Sequence, residues 1–85
     1  MTWQVLVRAR AQKRLKHFPA KERARIKAAL REIGADPFTG DIEQMTGTDH
    51  VWRRRVGSYR IFYELFAVKR VIFVFRVERR TSQTY

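Results

Sequence analysis

The residues best suited to chemistry are arginines gathered around one tight turn. Arg53 and Arg55 precede Gly57-Ser58, and Arg60 follows it. A two-residue connection that begins with glycine favours a type II′ hairpin, in which Arg55 lies opposite Arg60. Because side chains alternate across a strand, all three arginines then share one face. Guanidinium groups on neighbouring strands can hold phosphate through paired, charge-assisted hydrogen bonds, so this spacing predicts an anion site.

Arginines that oppose each other across a hairpin need compensation. A directly opposed like pair destabilises an antiparallel ladder by an amount comparable to the ~0.2–1 kcal/mol of a favourable pair. A bound anion would offset the repulsion between the positive charges of Arg55 and Arg60. Glu64, on the same face, would do so instead by making the group a salt-bridge network. Arg54 falls on the opposite, apolar face, where we expect it to snorkel or to lie at an edge.

Further cations and a tyrosine follow the last apolar run. Arg79 and Arg80 end that run, and one of them joins the Arg60 group if the third strand of this region lies beside the second. Tyr85 can then stack on a base or donate a hydrogen bond. The alternative for Tyr85 is a frayed terminus without a role.

Charge is the strongest compositional signal. The formal net charge of +11 and the pI near 11.3 favour association with polyanions such as nucleic acid. An acidic protein, an anionic lipid surface or simply a solvated basic exterior would fit the same charge. The chain has no cysteine and only two histidines, His17 and His50, so we expect neither a metal nor a cofactor.

Apolar content indicates one compact unit. Apolar residues make up 45% of the 85 residues, enough for one core, and no linker divides the chain, so a single domain is expected over residues 1–85. No apolar run approaches the ~20 residues needed to cross a bilayer, and the N-terminal residues lack the order of a signal peptide. These features predict a cytoplasmic protein without a membrane partner.

Hydrophobic periodicity predicts the elements that must position the arginines. The predicted order is β-α-α-β-β-β, an α+β fold whose last three strands form an antiparallel meander with both helices on one sheet face. The apolar side of the hairpin packs against those helices, and the arginine side faces outward. In chain order we expect a strand at 3–7, a helix at 8–17, a helix from Pro19 to Gly34 with Ile26, Ala29, Leu30 and Ile33 buried, a surface connection at 35–50 with one short turn of helix around Glu43, and strands at 51–56, 59–66 and 71–78.

The stretch from Trp52 to Glu64, WRRRVGSYRIFYE, resembles the central hairpin of the RelE/ParE toxin superfamily, which is written W-R-x-R-V-G-x-Y-R-x-x-Y-E. The resemblance extends over nearly the whole chain. It implies a small sheet with two helices and, for the RelE branch, cleavage of mRNA in the ribosomal A site without a metal. The other matching segments are 11–19 (first helix and following turn), 36–37 and 40–41 (loop), 45–47 (the L-x-G motif) and 77–85 (closing arginine and tyrosine).

This resemblance also implies a reaction, partners and site residues. The ribose 2′-OH would attack the adjacent phosphate, giving a 2′,3′-cyclic phosphate and a free 5′-OH and so inhibiting translation. The implied partners are a cognate antitoxin, mRNA on the ribosome and ribosomal RNA. By the family pattern, the scissile phosphate would be bound by Arg53, Arg55 and Arg60, with Arg79 as a further phosphate-binding residue. Arg80 would stabilise the transition state, and Tyr85 would orient the base or proton. The catalytic set is then Arg60, Arg80 and Tyr85.

Two departures from the family pattern leave the general base open. Arg53 and Arg55 stand where some relatives have lysine, and Arg79 stands where many have histidine. Arginine is protonated at any ordinary pH and is therefore a poor base. Two other functions share this scaffold or charge: a ParE-like toxin that inhibits DNA gyrase without cutting RNA, and a nucleic-acid-binding module without catalysis.

Overall fold

The structure is a computed structural model that describes residues 2–79. The α+β class and the elements on either side of the 35–50 connection agree with the sequence prediction. The elements are β1 (Gln4–Val7), α1 (Ala9–Leu15), α2 (Ala20–Ala35), β2 (Ile42–Gln44), β3 (Val51–Val56), β4 (Tyr59–Phe66) and β5 (Val71–Arg79).

All five strands belong to one mixed sheet, in the order β1-β5-β4-β3-β2. β3, β4 and β5 form the predicted antiparallel meander. β1 pairs in parallel with β5, from Gln4 opposite Val71 to Val7 opposite Val74. Since β1 ends there, the second half of β5 has β4 on one side and, among the described residues, no strand on the other.

The β3–β4 hairpin has the predicted register. Val56 lies opposite Tyr59 and Arg55 opposite Arg60. At the turn, Gly57 has a φ of 58° and Ser58 does not have a positive φ. This is the φ pattern of a type II′ turn, whose first central position favours glycine.

Both helices pack on one face of the sheet, as predicted. Ala11 and Leu15 of α1 are buried there, and Ile26 and Ile33 of α2 are fully buried. The strands supply the other side of this core with alternate residues, including Tyr59, Ile61, Tyr63, Ile72, Val74 and Val77. Within residues 2–79, neither helix has the length and apolar character needed to span a bilayer.

The segment 35–50 differs from the expectation. The turn of helix expected around Glu43 is wrong, because Ile42–Gln44 forms an edge strand antiparallel to β3. The Arg55 N–H also donates to the carbonyl of Asp41, at 2.9 Å. Pairing with β3 satisfies backbone groups that would otherwise lie on an exposed strand edge, and this tertiary gain outweighs the local turn signals.

The second helix does not end at Gly34, as the sequence suggested. α2 continues through Gly34 to Ala35. A Cβ at position 34 would lie 3.1 Å from Val5 Cγ2, and the Gly34 carbonyl accepts a hydrogen bond from the Trp3 N–H at 2.7 Å. Gly34 therefore allows β1 to approach the helix closely.

Arg54 is buried between the sheet and α2, with 9% of its surface exposed. Its guanidinium forms an ion pair with Glu32 and lies 3.4 Å from the Ala29 carbonyl. The expectation that it would snorkel or lie at an edge is wrong, because a carboxylate on the helix satisfies the charge in place. Gly40, with a φ of 85°, passes so close that a Cβ there would lie 2.8 Å from Arg54 Nε.

Candidate phosphate-binding site on the open sheet face

The sheet face opposite the helices, called the open face below, carries most of the predicted phosphate-binding residues. Register and alternation place Arg53, Arg55 and Arg60 on it together, as the sequence analysis predicted. Residues from four strands contribute to the open face near the hairpin turn: Glu43 from β2, Arg53 and Arg55 from β3, Arg60 and Phe62 from β4, and Arg76 and Glu78 from β5.

The first charge row runs across the strands as Asp41, Arg55, Arg60 and Glu78. Arg55 and Arg60 are direct partners in the ladder, and Glu78 is the partner of Arg60 on the other side. Arg55 Nε lies 3.9 Å from Asp41 Oδ2, and Arg60 Nη1 lies 3.6 Å from Glu78 Oε1. The opposed arginines are therefore each flanked by a carboxylate.

The second charge row consists of Glu43, Arg53, Phe62 and Arg76. Arg53 forms an ion pair with Glu43. Arg76 lies over the Phe62 ring, 5.4 Å from its centroid, in a cation–π contact. Arg76 Nη2 also contacts Glu78 Oε2 at 2.9 Å, which joins the two rows.

The rows leave hydrogen-bonding capacity for an anion. They contain four guanidinium groups and three carboxylates, and the ion pairs of Arg55 and Arg60 are longer than a hydrogen bond. Partly exposed pairs of this kind contribute only about 0–1 kcal/mol each, so a phosphate can replace a carboxylate at little cost.

Glu64 is directed to other partners. Its carboxylate lies 3.6 Å from Arg8 Nη2 and 3.5 Å from His50 Nε2, near the opposite end of β4 from Arg60. A hydrogen bond to Asp49 is the largest cause that raises the pKa of His50, and the same bond lowers the pKa of the Asp49 carboxyl. The salt-bridge network that Glu64 could have formed with Arg60 is thus built by other carboxylates.

Arg79 lies on the other side of β5 from the charge rows. Its ladder partner is Tyr59, whose ring is buried against Phe18 on the helix-covered face. Arg79 lines a groove of about 1010 Å³ between α1 and the second half of β5, on the side where β5 does not pair with β1. The other basic residues of this groove are Arg10, Lys13, Arg14, His17 and Arg76.

The structure brings together three of the six site residues named from the sequence. Arg53, Arg55 and Arg60 share the open face, whereas Arg79 lies on the opposite face of β5. Arg80 and Tyr85 lie outside the described residues, so their assignments stay predictions. The arrangement can bind and orient a phosphodiester, and its carboxylates are groups that can accept a proton.

Sequence reasoning missed Arg76 and the three carboxylates of the charge rows. Arg76 and Glu78 were predictable once the last strand was placed beside β4, because they alternate with the buried Val77. The bulge between Phe62 and Tyr63, which leaves Phe75 without a ladder partner, gave no sequence signal. Asp41 and Glu43 were missed because β2 was not expected.

Comparisons with known proteins agree on one superfamily, with a match to a ParE profile and to RelE chains. A sequence profile described as the ParE toxin of the type II toxin-antitoxin system parDE matches residues 5–84. A candidate toxin of Methanocaldococcus jannaschii, RelE1, is 28% identical over 83 residues, which cover 94% of this chain and 92% of that protein.

Solved structures share the fold. A chain of the RelB-RelE antitoxin-toxin complex from Methanococcus jannaschii has a TM-score of 0.73 and 32% identity, with 88% of this chain and 90% of that chain covered. A chain of the archaeal RelE-RelB complex from Pyrococcus horikoshii has a TM-score of 0.84 and 23% identity, with coverage of 98% and 100%. The protein therefore belongs to the ParE toxin family of type II toxin-antitoxin systems, within the RelE/ParE superfamily.

Proposed function

We propose that this toxin is a ribosome-dependent mRNA endoribonuclease. In the proposed reaction the ribose 2′-OH attacks the adjacent phosphate, which yields a 2′,3′-cyclic phosphate and a free 5′-OH and stops translation. The observation that carries the proposal is the convergence of Arg53, Arg55, Arg60 and Arg76 on one open sheet face. The similarity to RelE chains supports the same choice.

The charge rows suit a substrate whose reacting group is a phosphodiester. Catalysis of this reaction needs stabilisation of the extra negative charge on a pentavalent phosphate. Arg60 lies between Arg55 and Glu78 and its Nη1 is 3.6 Å from the Glu78 carboxylate, too far for a hydrogen bond, so it is the arginine best placed to receive a phosphate oxygen. Arg53 and Arg55 would hold the neighbouring backbone, while Arg80 and Tyr85 keep the roles implied by the family.

Replacement of Arg60 tests this proposal. We expect brief expression of the wild type to produce new 5′ ends within translated codons of cellular RNA, and Arg60→Ala to produce none. The side chain is 28% exposed and its ion pair is loose, so the variant should fold. Arg31→Ala, on the exposed side of α2, is the matched control that also removes one positive charge. Full cutting by a folded Arg60→Ala would contradict the proposal.

A ParE-like inhibitor of DNA gyrase is the second candidate. The profile that matches this chain is that of the ParE toxin. The charge rows also give the described open-face arginines carboxylate partners, so an anion is not needed to balance them. Growth arrest with DNA damage and filamentous cells, but without new RNA ends, would favour this function.

We propose a cognate antitoxin as the protein partner under either function. The relatives from Methanococcus jannaschii and Pyrococcus horikoshii were solved as complexes of RelE with RelB. A net charge of +11 favours an acidic segment in the partner. Co-expression of the product of the adjacent gene should restore growth and co-purify with the toxin, and failure of both would contradict this assignment.

A further inference from the structure

Glu78 is the carboxylate that joins the two charge rows. Its Oε1 lies 3.6 Å from Arg60 Nη1 and its Oε2 lies 2.9 Å from Arg76 Nη2. The side chain is 25% exposed, and its place in the β4–β5 ladder is directly opposite Arg60. The carboxylate is therefore fixed beside the arginine that is best placed to receive the scissile phosphate.

The other carboxylates of the rows are more exposed than Glu78 and have fewer cationic partners. Asp41 and Glu43 belong to the edge of the sheet, their side chains are 68% and 65% exposed, and each contacts one arginine. Glu64 is as buried as Glu78, with 24% of its side chain exposed, but its partners are Arg8 and His50. A proton acceptor must stand within hydrogen-bond reach of its proton, and Glu78 satisfies this condition best.

Phosphate binding would change the hydrogen-bond partners of Glu78. A phosphodiester between Arg60 and Arg76 takes over the guanidinium hydrogen bonds that the carboxylate now shares. The carboxylate oxygens released from those hydrogen bonds are then free to accept one from the ribose 2′-OH. The strand backbone keeps Glu78 next to the phosphate throughout this exchange.

We propose that Glu78 is the general base of the cleavage reaction, an inference that rests on the proposed function. Its carboxylate removes the proton from the ribose 2′-OH as the 2′ oxygen forms a bond to phosphorus. The bond from phosphorus to the 5′ oxygen breaks, and its electron pair stays on that oxygen. The 5′ oxygen then takes a proton from water. The hydroxide left by this water removes the proton from Glu78, which restores the carboxylate.

Glu78→Gln tests this role because glutamine keeps the size of the side chain and cannot take the proton. Cleavage is measured with purified ribosomes programmed with a defined mRNA. We expect kcat to fall by about 10²–10⁴-fold, the usual contribution of a positioned acid or base, while KM stays within about threefold. Glu64→Gln is the matched control, since Glu64 has the same burial and also contacts two cationic side chains, and its kcat should stay within about threefold of wild type.

Rescue by a small carboxylate separates a base from a structural support. Formate should restore part of the rate of Glu78→Ala in proportion to its concentration and should not affect Glu64→Ala. Unchanged cleavage by Glu78→Gln, an equal loss in Glu64→Gln, or a loss in Glu78→Ala that formate does not relieve would each overturn the role of Glu78. Wild-type protein that makes no cuts would overturn the proposed function and this inference together, whereas wild-type cutting with unaffected Glu78→Gln would overturn the inference alone.

Discussion

At the residue scale, the structure separates aromatic residues that support the site from arginines that form it. The Tyr63 side chain is fully buried, and its hydroxyl donates a hydrogen bond to the Pro37 carbonyl at 2.8 Å. This bond ties the middle of β4 to the loop after α2. Burial is the main reason that the pKa of Tyr63 is raised to about 12.

Tyr63→Phe should lower the free energy of unfolding by about 1–2 kcal/mol, because the buried Pro37 carbonyl loses its donor. Urea denaturation at neutral pH measures this change. Tyr59→Phe, which alters a tyrosine of the same strand, is the comparison variant. Equal stability of Tyr63→Phe and wild type would show that another donor satisfies the carbonyl.

The Tyr63 hydroxyl also predicts an alkaline limit to stability. The folded pKa of about 12 lies above the ordinary tyrosine value of about 10, so the folded state favours the protonated phenol. This contribution is complete below pH 10 and is lost as the pH rises from 10 through about 12. The stability difference between wild type and Tyr63→Phe should therefore shrink over that range, and a difference that grows with pH would contradict the assignment.

At the element scale, one ion pair joins the hairpin to the long helix. The Arg54 guanidinium is buried under α2, whereas the Glu32 side chain that pairs with it is 61% exposed. Loss of the carboxylate leaves a buried charge without compensation, while loss of the arginine leaves a carboxylate that water can solvate. The two halves of the pair should therefore respond differently to substitution.

Glu32→Ala should lower the free energy of unfolding by about 1.5–3 kcal/mol, the range for a hydrogen bond to a charged group. Adding Arg54→Met to it should recover most of this loss, since an apolar replacement for a buried pair is often neutral or stabilising. Glu22→Ala, at a partly exposed 4.0 Å pair with Arg25 on the same helix, should cost less than about 0.5 kcal/mol. An unchanged free energy of unfolding for Glu32→Ala in urea denaturation would show that the pair does not stabilise the packing of the helix.

At the scale of the whole molecule, the charge of +11 acts together with the placement of the arginines. General charge draws the protein to any polyanion, and only the charge rows can give contacts at fixed positions. Both effects weaken as salt is added, but they differ in which arginine matters. Substitutions that change the net charge equally can therefore distinguish them.

Binding to single-stranded RNA without ribosomes should weaken linearly in log Kd against log salt. Arg55→Gln should reduce the steepness of this line by about 0.7, the value for one phosphate contact on a single strand. Arg31→Gln lowers the net charge by the same amount on the exposed side of α2 and should leave the slope unchanged. Equal slope changes in both variants would show that the binding depends on general charge and not on the open face.

The sequence by itself determined the register of the hairpin and which face of the sheet the helices cover. The alternation of apolar and polar residues with the glycine-first turn set the β3–β4 register, and through it the shared face of Arg53, Arg55 and Arg60. These are short-range constraints, because a two-residue turn leaves one pairing between its strands. The apolar stripe of α2 set the helix-covered face of the sheet for the same reason.

Tertiary structure alone decided which charges meet. Glu78 reaches Arg60 because β5 lies beside β4, and a bulge near Phe75 sets which β5 residues share the open face next to the turn. Arg54 finds Glu32 on a helix that is 22 residues away in the sequence. Such partners depend on the packing of distant elements, since a charged residue pairs with whichever opposite charge the completed fold brings within reach.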